Sequence, residues 1–89
     1  MESWKWYVYI IECLDGSYYV GMTWSLPIRY GQHESGFGSV YTKKHGFKAL
    51  VYSEEYENLD EARQREKQLK GWTRAKKEKL IRGEWGKWE

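Results

Sequence analysis

The sequence predicts an α+β domain, a small three-stranded antiparallel sheet flanked by three helices in the order β-β-α-β-α-α. Three observations carry that prediction. An aromatic and β-branched run, Trp6-Tyr7-Val8-Tyr9-Ile10-Ile11, is followed by Asp15-Gly16 and a second Tyr-rich run, Tyr18-Tyr19-Val20, the pattern of a hairpin. A third run, centred on Leu50-Val51-Tyr52, has the same strand character. Asn58-Leu59-Asp60-Glu61 has the form of a capping box opening a helix.

Each element follows from local chemistry. The first strand spans 4–13 and the returning strand 18–22, joined at Asp15-Gly16. A two-residue turn would pair Leu14 with Ser17 and put the Tyr9 and Tyr19 rings on opposite faces, because side chains alternate. A three-residue loop pairs Leu14 with Tyr18, sets Tyr19 opposite Cys13 and puts both rings on one face. The second arrangement is expected, with Gly16 left-handed and a bulge nearby. Ser25 caps a first helix over 26–34, with Pro27 in its first turn, where a missing N–H is harmless. The segment 37–46 carries Gly38, Gly46 and several cations and reads as a loop; 47–56 is the third strand. A second helix covers 59–70 and ends at Gly71, and Thr73 caps a third reaching about residue 81. In the tail, Trp85 and Trp88 are expected to pack back on the domain.

A chain of 89 residues suffices for one domain, 1–89, with one modest core. Six Trp, eight Tyr and two Phe compensate for the short length, since each ring buries a large area. The single cysteine, Cys13, lies in an apolar strand pattern. It reads as a small buried hydrophobe rather than a nucleophile, and it permits no internal disulfide. No apolar run is long enough to span a bilayer, and Met1-Glu2-Ser3-Trp4-Lys5 has no signal-peptide stretch. The expected setting is the cytoplasm. The net charge is only +2, but residues 61–89 hold ten Lys/Arg against five Asp/Glu, whereas residues 1–60 hold five against eight. A basic second half suits a polyanionic partner, or a solvated helix laced with charge pairs.

Arg29 and His33 stand i, i+4 and share one helix face. Phenols and a guanidinium together are suited to hydrogen-bonding a water and clamping a phosphate. Glu66 lies mid-helix, where its carboxylate can hold a hard divalent cation or pair with Lys70, four residues on.

These residues resemble the GIY-YIG nuclease superfamily, and most closely its small single-domain bacterial members. Tyr7-Val8-Tyr9 stands where the family has its first motif and Tyr19-Val20-Gly21 its second. Arg29 and His33 fall at the spacing of its helix arginine and its His or Tyr, and Glu66, in Glu-Lys-Gln-Leu-Lys-Gly-Trp, matches its metal-binding glutamate. Tyr41-Thr42-Lys43 and the segment Lys70 to Arg74 match further features of the small members, so the likeness spans 4–81. The resemblance implies an endonuclease that uses one Mg²⁺ or Mn²⁺ held by Glu66 to hydrolyse DNA, with Arg29 on the scissile phosphate. Tyr9 is the favoured base or water-orienting group, supported by Tyr19 or His33, with His33 itself a rival base. With no attached recognition domain expected, DNA contacts would come from Lys43, Lys44, Lys67, Lys70, Arg74, Lys76 and Lys77, which meet phosphates without reading sequence. Trp24 and Tyr41 would stack on a base or pack internally. Structure-selective cleavage is then expected over sequence-selective cleavage. Two departures from the family keep an alternative open, a non-catalytic nucleic-acid-binding module. Met22 stands where some members carry lysine, and the only asparagine, Asn58, lies upstream of Glu66.

Overall fold

A computed structural model describes residues 4–84. The proposed tail packing of Trp85 and Trp88 lies outside the described residues. Strands β1 (Trp6–Cys13), β2 (Tyr18–Thr23) and β3 (Phe47–Tyr56) form one antiparallel sheet in the order β2-β1-β3. Helices α1 (Leu26–Glu34), α3 (Leu59–Lys70) and α4 (Arg74–Ile81) are those expected from the sequence. Their caps form as read: Ser25 accepts the Ile28 N–H, Asn58 those of Asp60 and Glu61, and Thr73 that of Lys76. Among the described residues no helix is long and apolar enough to cross a membrane.

The segment read as a loop contains a further helix, α2 (Val40–His45). Ser39 caps it by accepting the Thr42 N–H at 3.0 Å, and Gly46, at φ +82°, ends it. One and a half turns with β-branched Val40 and Thr42 have little intrinsic helicity. The helix persists through tertiary contacts of Thr42, Tyr41 and His45 described below.

The hairpin differs from expectation in register but not in parity. Cys13 donates to the Ser17 carbonyl at 2.8 Å and Gly16 to the Cys13 carbonyl at 2.9 Å, so the loop is Leu14-Asp15-Gly16. It has three residues, as expected, but sits one position earlier in the chain. Gly16 is left-handed at φ +85°, a conformation costly for a residue with a Cβ. Tyr19 therefore pairs with Ile11 and not with Cys13. Because the shift along β1 is two residues, Tyr9 and Tyr19 still share a face. The irregularities in this sheet lie on the other side of β1, in its pairing with β3, at Ile10/Ile11 and Glu12/Cys13.

Alternation along β1 divides the interior in two. Val8 and Ile10 join Val20 and Tyr56 against Ala62, Leu69 and Leu80 of α3 and α4. Tyr9, Ile11 and Cys13 face the opposite side, with Tyr19, Leu26, Tyr41, Phe47 and Leu50. On the first side lies a buried ion pair that sequence inspection missed. Arg65 donates through Nε and Nη2 to the two Glu54 oxygens at 2.9 and 3.0 Å, and Tyr56 donates to Glu54 at 2.7 Å. Tyr52 donates to the same carboxylate, and Arg65 Nη1 reaches Gln68 Oε1 at 2.8 Å. Burial works against the Glu54 charge, but Arg65 and the two phenols outweigh it and keep its pKa below the ordinary value. Its signal in the sequence is positional: Tyr52, Glu54 and Tyr56 alternate along one strand face, and Ala62, Arg65 and Leu69 share one helix face.

Removing one partner of such a pair leaves an uncompensated buried charge, whereas replacing both with apolar side chains does not. Arg65→Met is expected to lower stability by about 3–5 kcal/mol. The double variant Glu54→Leu/Arg65→Met should lose much less than the two single losses added, as read from urea denaturation midpoints.

Candidate active site

The second face of the sheet brings four of the five predicted catalytic side chains together around the Tyr9 hydroxyl. Tyr9 sits at the centre of β1 and is 1% exposed. Its ring passes beneath Gly21 of β2, where a Cβ would lie 2.3 Å from the Tyr9 oxygen. Glycine in the second motif is thus a matter of space. Arg29, from α1, donates Nε–H to Tyr9 Oη at 3.1 Å, and its Nη1 donates to Gln32 Oε1 at 2.9 Å. His33, one turn on, places Nε2 2.9 Å from Tyr9 Oη. Tyr19 completes the cluster, its ring centroid 6.4 Å from that of Tyr9 and 5.4 Å from that of His33. Tyr7 is not part of it; its hydroxyl donates to Glu55 at 3.3 Å.

His33 is held from behind by α2. Its Nδ1 lies 2.8 Å from Thr42 Oγ1, which lies 2.9 Å from Ser39 Oγ. Gly38 lets the chain pass this close, since a Cβ there would be 2.3 Å from Nδ1. Thr42 and Ser39 were not picked out as site residues from the sequence. The available signal was the Ser-x-x-Thr spacing of a helix cap just downstream of His33. The ring contacts continue outward, Tyr19 to Tyr41 at 5.7 Å and Tyr41 stacked on His45 at 4.1 Å, with His45 Nδ1 bonded to Asp15 in the hairpin loop.

The electrostatics are those of a neutral pair beside a cation. Burial lowers the His33 pKa to about 4, assisted by the Arg29 charge, so the imidazole is neutral near pH 7. Burial raises the Tyr9 pKa; Arg29 opposes that shift, while Tyr19 and the Glu66 carboxylate add to it. Burial opposes the Arg29 charge, yet the Tyr9 and Tyr19 phenols favour it and the balance lies above its ordinary value.

Glu66, the fifth predicted residue, reaches Tyr9 through its charge rather than through a hydrogen bond. It lies on α3, which packs against β1 and β2, and its half-buried carboxylate is 3.5 Å from Lys70 Nζ. Such i,i+4 pairs contribute little, about 0.3–0.5 kcal/mol, so Lys70 is a weak competitor for a dication. Among the described residues no three His, Cys, Asp or Glu side chains gather into a metal-ligand set.

The predicted polyanion contacts divide by their environment. Lys43 and Lys44 on α2 and Lys67 and Lys70 on α3 are exposed. Arg74 is engaged by the fold: it donates to the Gly16 carbonyl, pairs with Glu78 at 2.8 Å and lies 4.8 Å over the Tyr18 ring. Lys76 lies 4.9 Å over the Trp72 ring, and burial lowers the pKa of Lys77. Trp24 is about half-exposed and meets Trp4 edge-on at 5.4 Å. Tyr41, stacked as described, belongs to the packing.

A hairpin that crosses a tyrosine under a glycine, followed by an arginine helix and a glutamate helix, is the frame of the site, and its family match makes it a nuclease-type fold. A family model described as the GIY-YIG catalytic domain matches residues 5–79, and this chain belongs to the GIY-YIG family. It is 38% identical over 80 residues to a UPF0213 protein of Natronomonas pharaonis, covering 90% of this chain and 94% of that one. It is 43% identical over 76 residues to a UPF0213 protein of Staphylococcus aureus, covering 85% and 93%. The solution NMR structure of the UPF0213 protein BH0048 from Bacillus halodurans is similar at a TM-score of 0.58 and 40% identity, covering 96% of this chain and 90% of that one.

Two predictions test this geometry. Gly21→Ala forces its methyl group against Tyr9 and should cost about 1–3 kcal/mol, in line with other overpacked sites, measurable by thermal denaturation. The His33 ring, followed by NMR, should titrate near pH 4 rather than 6.5. Above 6.5 neither the folded nor the unfolded state binds a proton at this residue. Below it the unfolded state binds one that the folded state refuses. Stability should therefore fall from pH 6.5 toward 4, by about 2 kcal/mol at pH 5 given about 1.4 kcal/mol per pKa unit, and His33→Gln should remove that dependence.

Proposed function

We propose that this chain is a divalent-metal-dependent endonuclease hydrolysing phosphodiester bonds in DNA. The observation that carries the reading is the Arg29–Tyr9–His33 hydrogen-bonded cluster, with Glu66 close enough to act on the same phenol. Arg29 binds the scissile phosphate through the guanidinium edge not used by Tyr9 and stabilises charge on the phosphoryl oxygens. Tyr9 accepts the proton of the attacking water while its own proton moves to His33 Nε2. The positive charge gained by the imidazole is offset by the negative charge developing on phosphate. Tyr19, packed beside both, supports this arrangement.

The donor chemistry fits one Mg²⁺ or Mn²⁺ at Glu66. Mg²⁺ is commonly held by one or two carboxylates and completes its shell with water and substrate phosphate oxygens, and Glu66 is a half-buried carboxylate with only a weak lysine partner. When bound, the ion supplies Lewis-acid stabilisation of the phosphoryl and leaving oxygens.

Lys43, Lys44, Lys67 and Lys70 supply sequence-independent phosphate contacts, and Trp24 offers a ring for an unpaired base. Arg74 and Lys76 can join the phosphate contacts only by leaving or sharing the partners described above, and Lys77 only from its partly buried position. That contact set favours structure-selective over sequence-selective cleavage. The proposed setting is the cytoplasm, where Cys13, buried in the sheet, stays a thiol. Met22 and the position of Asn58 favour a second reading, a nucleic-acid-binding module without turnover.

The test is cleavage of labelled single strands, nicked duplexes, flaps and junctions, with RNA counterparts, in Mg²⁺ or Mn²⁺. Cleavage should require the metal, and Glu66→Ala and Arg29→Ala should each lower it by roughly 10²-fold or more. Salt-sensitive binding without cleavage of any substrate by the wild type would favour the second reading.

A further inference from the structure

The Arg29–Tyr9–His33–Thr42–Ser39 chain has a direction, and the direction is set at one end. Arg29 can only donate, so one lone pair of the Tyr9 oxygen is taken by Nε–H. Among the described residues Tyr9 Oη has one other hydrogen-bond partner, His33 Nε2 at 2.9 Å. Two wirings of the chain are conceivable. In one, Tyr9 donates to Nε2, Nδ1–H donates to Thr42 Oγ1, and Thr42 donates to Ser39. Ser39 offers its Oγ at 2.9 Å and its carbonyl at 3.4 Å, and its own proton turns outward from a half-buried position. In the other, every arrow is reversed. Ser39 donates to Thr42, Thr42 to Nδ1, and Nε2–H to Tyr9. Tyr9 then receives two donors, and its own proton points to the open side of the oxygen, where no described residue accepts it and only water could. Where no water takes that proton, a buried hydroxyl left unpaired costs about 1–3 kcal/mol. The first wiring satisfies every member of the chain.

The difference bears on chemistry. In the first wiring one lone pair of Tyr9 stays open to accept from water. In the reversed wiring both lone pairs are filled and Tyr9 cannot act as a base. We infer that Thr42, 2% exposed and backed by Ser39, is a positioning residue: by accepting Nδ1–H it holds neutral His33 in the tautomer that the Arg29 end selects, and so keeps the Tyr9 oxygen able to take a proton. The tautomer follows from the hydrogen-bond geometry around the neutral ring; its consequence for turnover rests on the nuclease reading above.

Long-range ¹H–¹⁵N NMR of the histidine rings of the free protein at pH 7 reads the tautomer directly. His33→Gln assigns the signals, since His45 is the only other histidine. Wild type should show His33 protonated at Nδ1, Thr42→Ser should keep that state, and Thr42→Val should shift the ring toward Nε2–H. Should Thr42→Val not fold, Ser39→Ala, which leaves Thr42 Oγ1 with the carbonyl alone, should give a partial shift. An Nε2–H ring in wild type, or no change in a folded Thr42→Val, would overturn the assignment. In the cleavage assay, Thr42→Val should lower kcat by roughly 10²-fold, the lower end of general-base contributions, with KM nearly unchanged and Thr42→Ser restoring most of the rate. A shifted tautomer with unchanged kcat would overturn the positioning role. Absence of wild-type cleavage beside the expected tautomers would count against the nuclease reading while supporting the hydrogen-bond assignment.

Discussion

The Tyr9 hydroxyl is buried between a group that can only donate and a ring nitrogen that can do either. That constraint organises this face of the protein. A buried phenol without partners would be costly, so Arg29 and His33 must both come from one helix, one turn apart, docked over the sheet. His33 is then buried in turn, and its second nitrogen needs a partner. Thr42 supplies it, which explains why a helix as short as α2 exists at all. The cap at Ser39 satisfies the Thr42 amide and stands beside the hydroxyl that faces His33. A local helix signal and a tertiary hydrogen bond thus depend on the same two side chains.

The opposite face secures what the site requires but does not itself supply. Glu54 and Arg65 tie β3 to α3 with two parallel hydrogen bonds, and the Tyr52 and Tyr56 phenols complete the carboxylate's partners. Fixing α3 at Arg65 fixes Glu66 next to it, turned by about 100° at 3.6 residues per turn. Arg65 therefore points into the core while Glu66 lies half-buried at its border. Alternation in β1 makes the division possible: Val8 and Ile10 face the ion-pair side, and Tyr9 and Ile11 the reactive side. Stability and chemistry draw on neighbouring residues that face opposite ways.

Much of this was legible because the relevant signals are local. Asp15-Gly16, Ser25-x-Pro27, Asn58 with Glu61, and Thr73 each fix an end or a turn by short-range hydrogen bonding, and the elements they bound are found where expected. The shared face of Tyr9 and Tyr19 followed from parity, which any three-residue loop preserves. The features that escaped depend on distant partners. Helix α2 is supported by His33 and Asp15 more than by its own composition. Glu54 and Arg65 read as ordinary surface charges until their positions on apolar faces are compared across eleven residues. Arg74 has the composition of a phosphate contact, yet the fold spends it on the Gly16 carbonyl, and no local pattern reveals that a cation has found an internal acceptor.

The hairpin loop shows why parity alone would not build the site. Moving the loop by one position preserves the face of every ring but slides Tyr19 two residues along β1, about 7 Å at the rise of a strand. Opposite Cys13, Tyr19 would be out of reach of His33; opposite Ile11, it packs on it. The loop is held in place from both sides of the sheet. Asp15 accepts from Ser17 and bonds to His45 of α2, contacts that hold its carboxyl well below the usual carboxylate range. Arg74 of α4 donates to the adjacent Gly16 carbonyl. A slipped loop would surrender both contacts together. These tethers lie at the far end of the strands from Gly21, yet they set which residue passes over Tyr9, because in an antiparallel pair the turn fixes the register of everything beyond it.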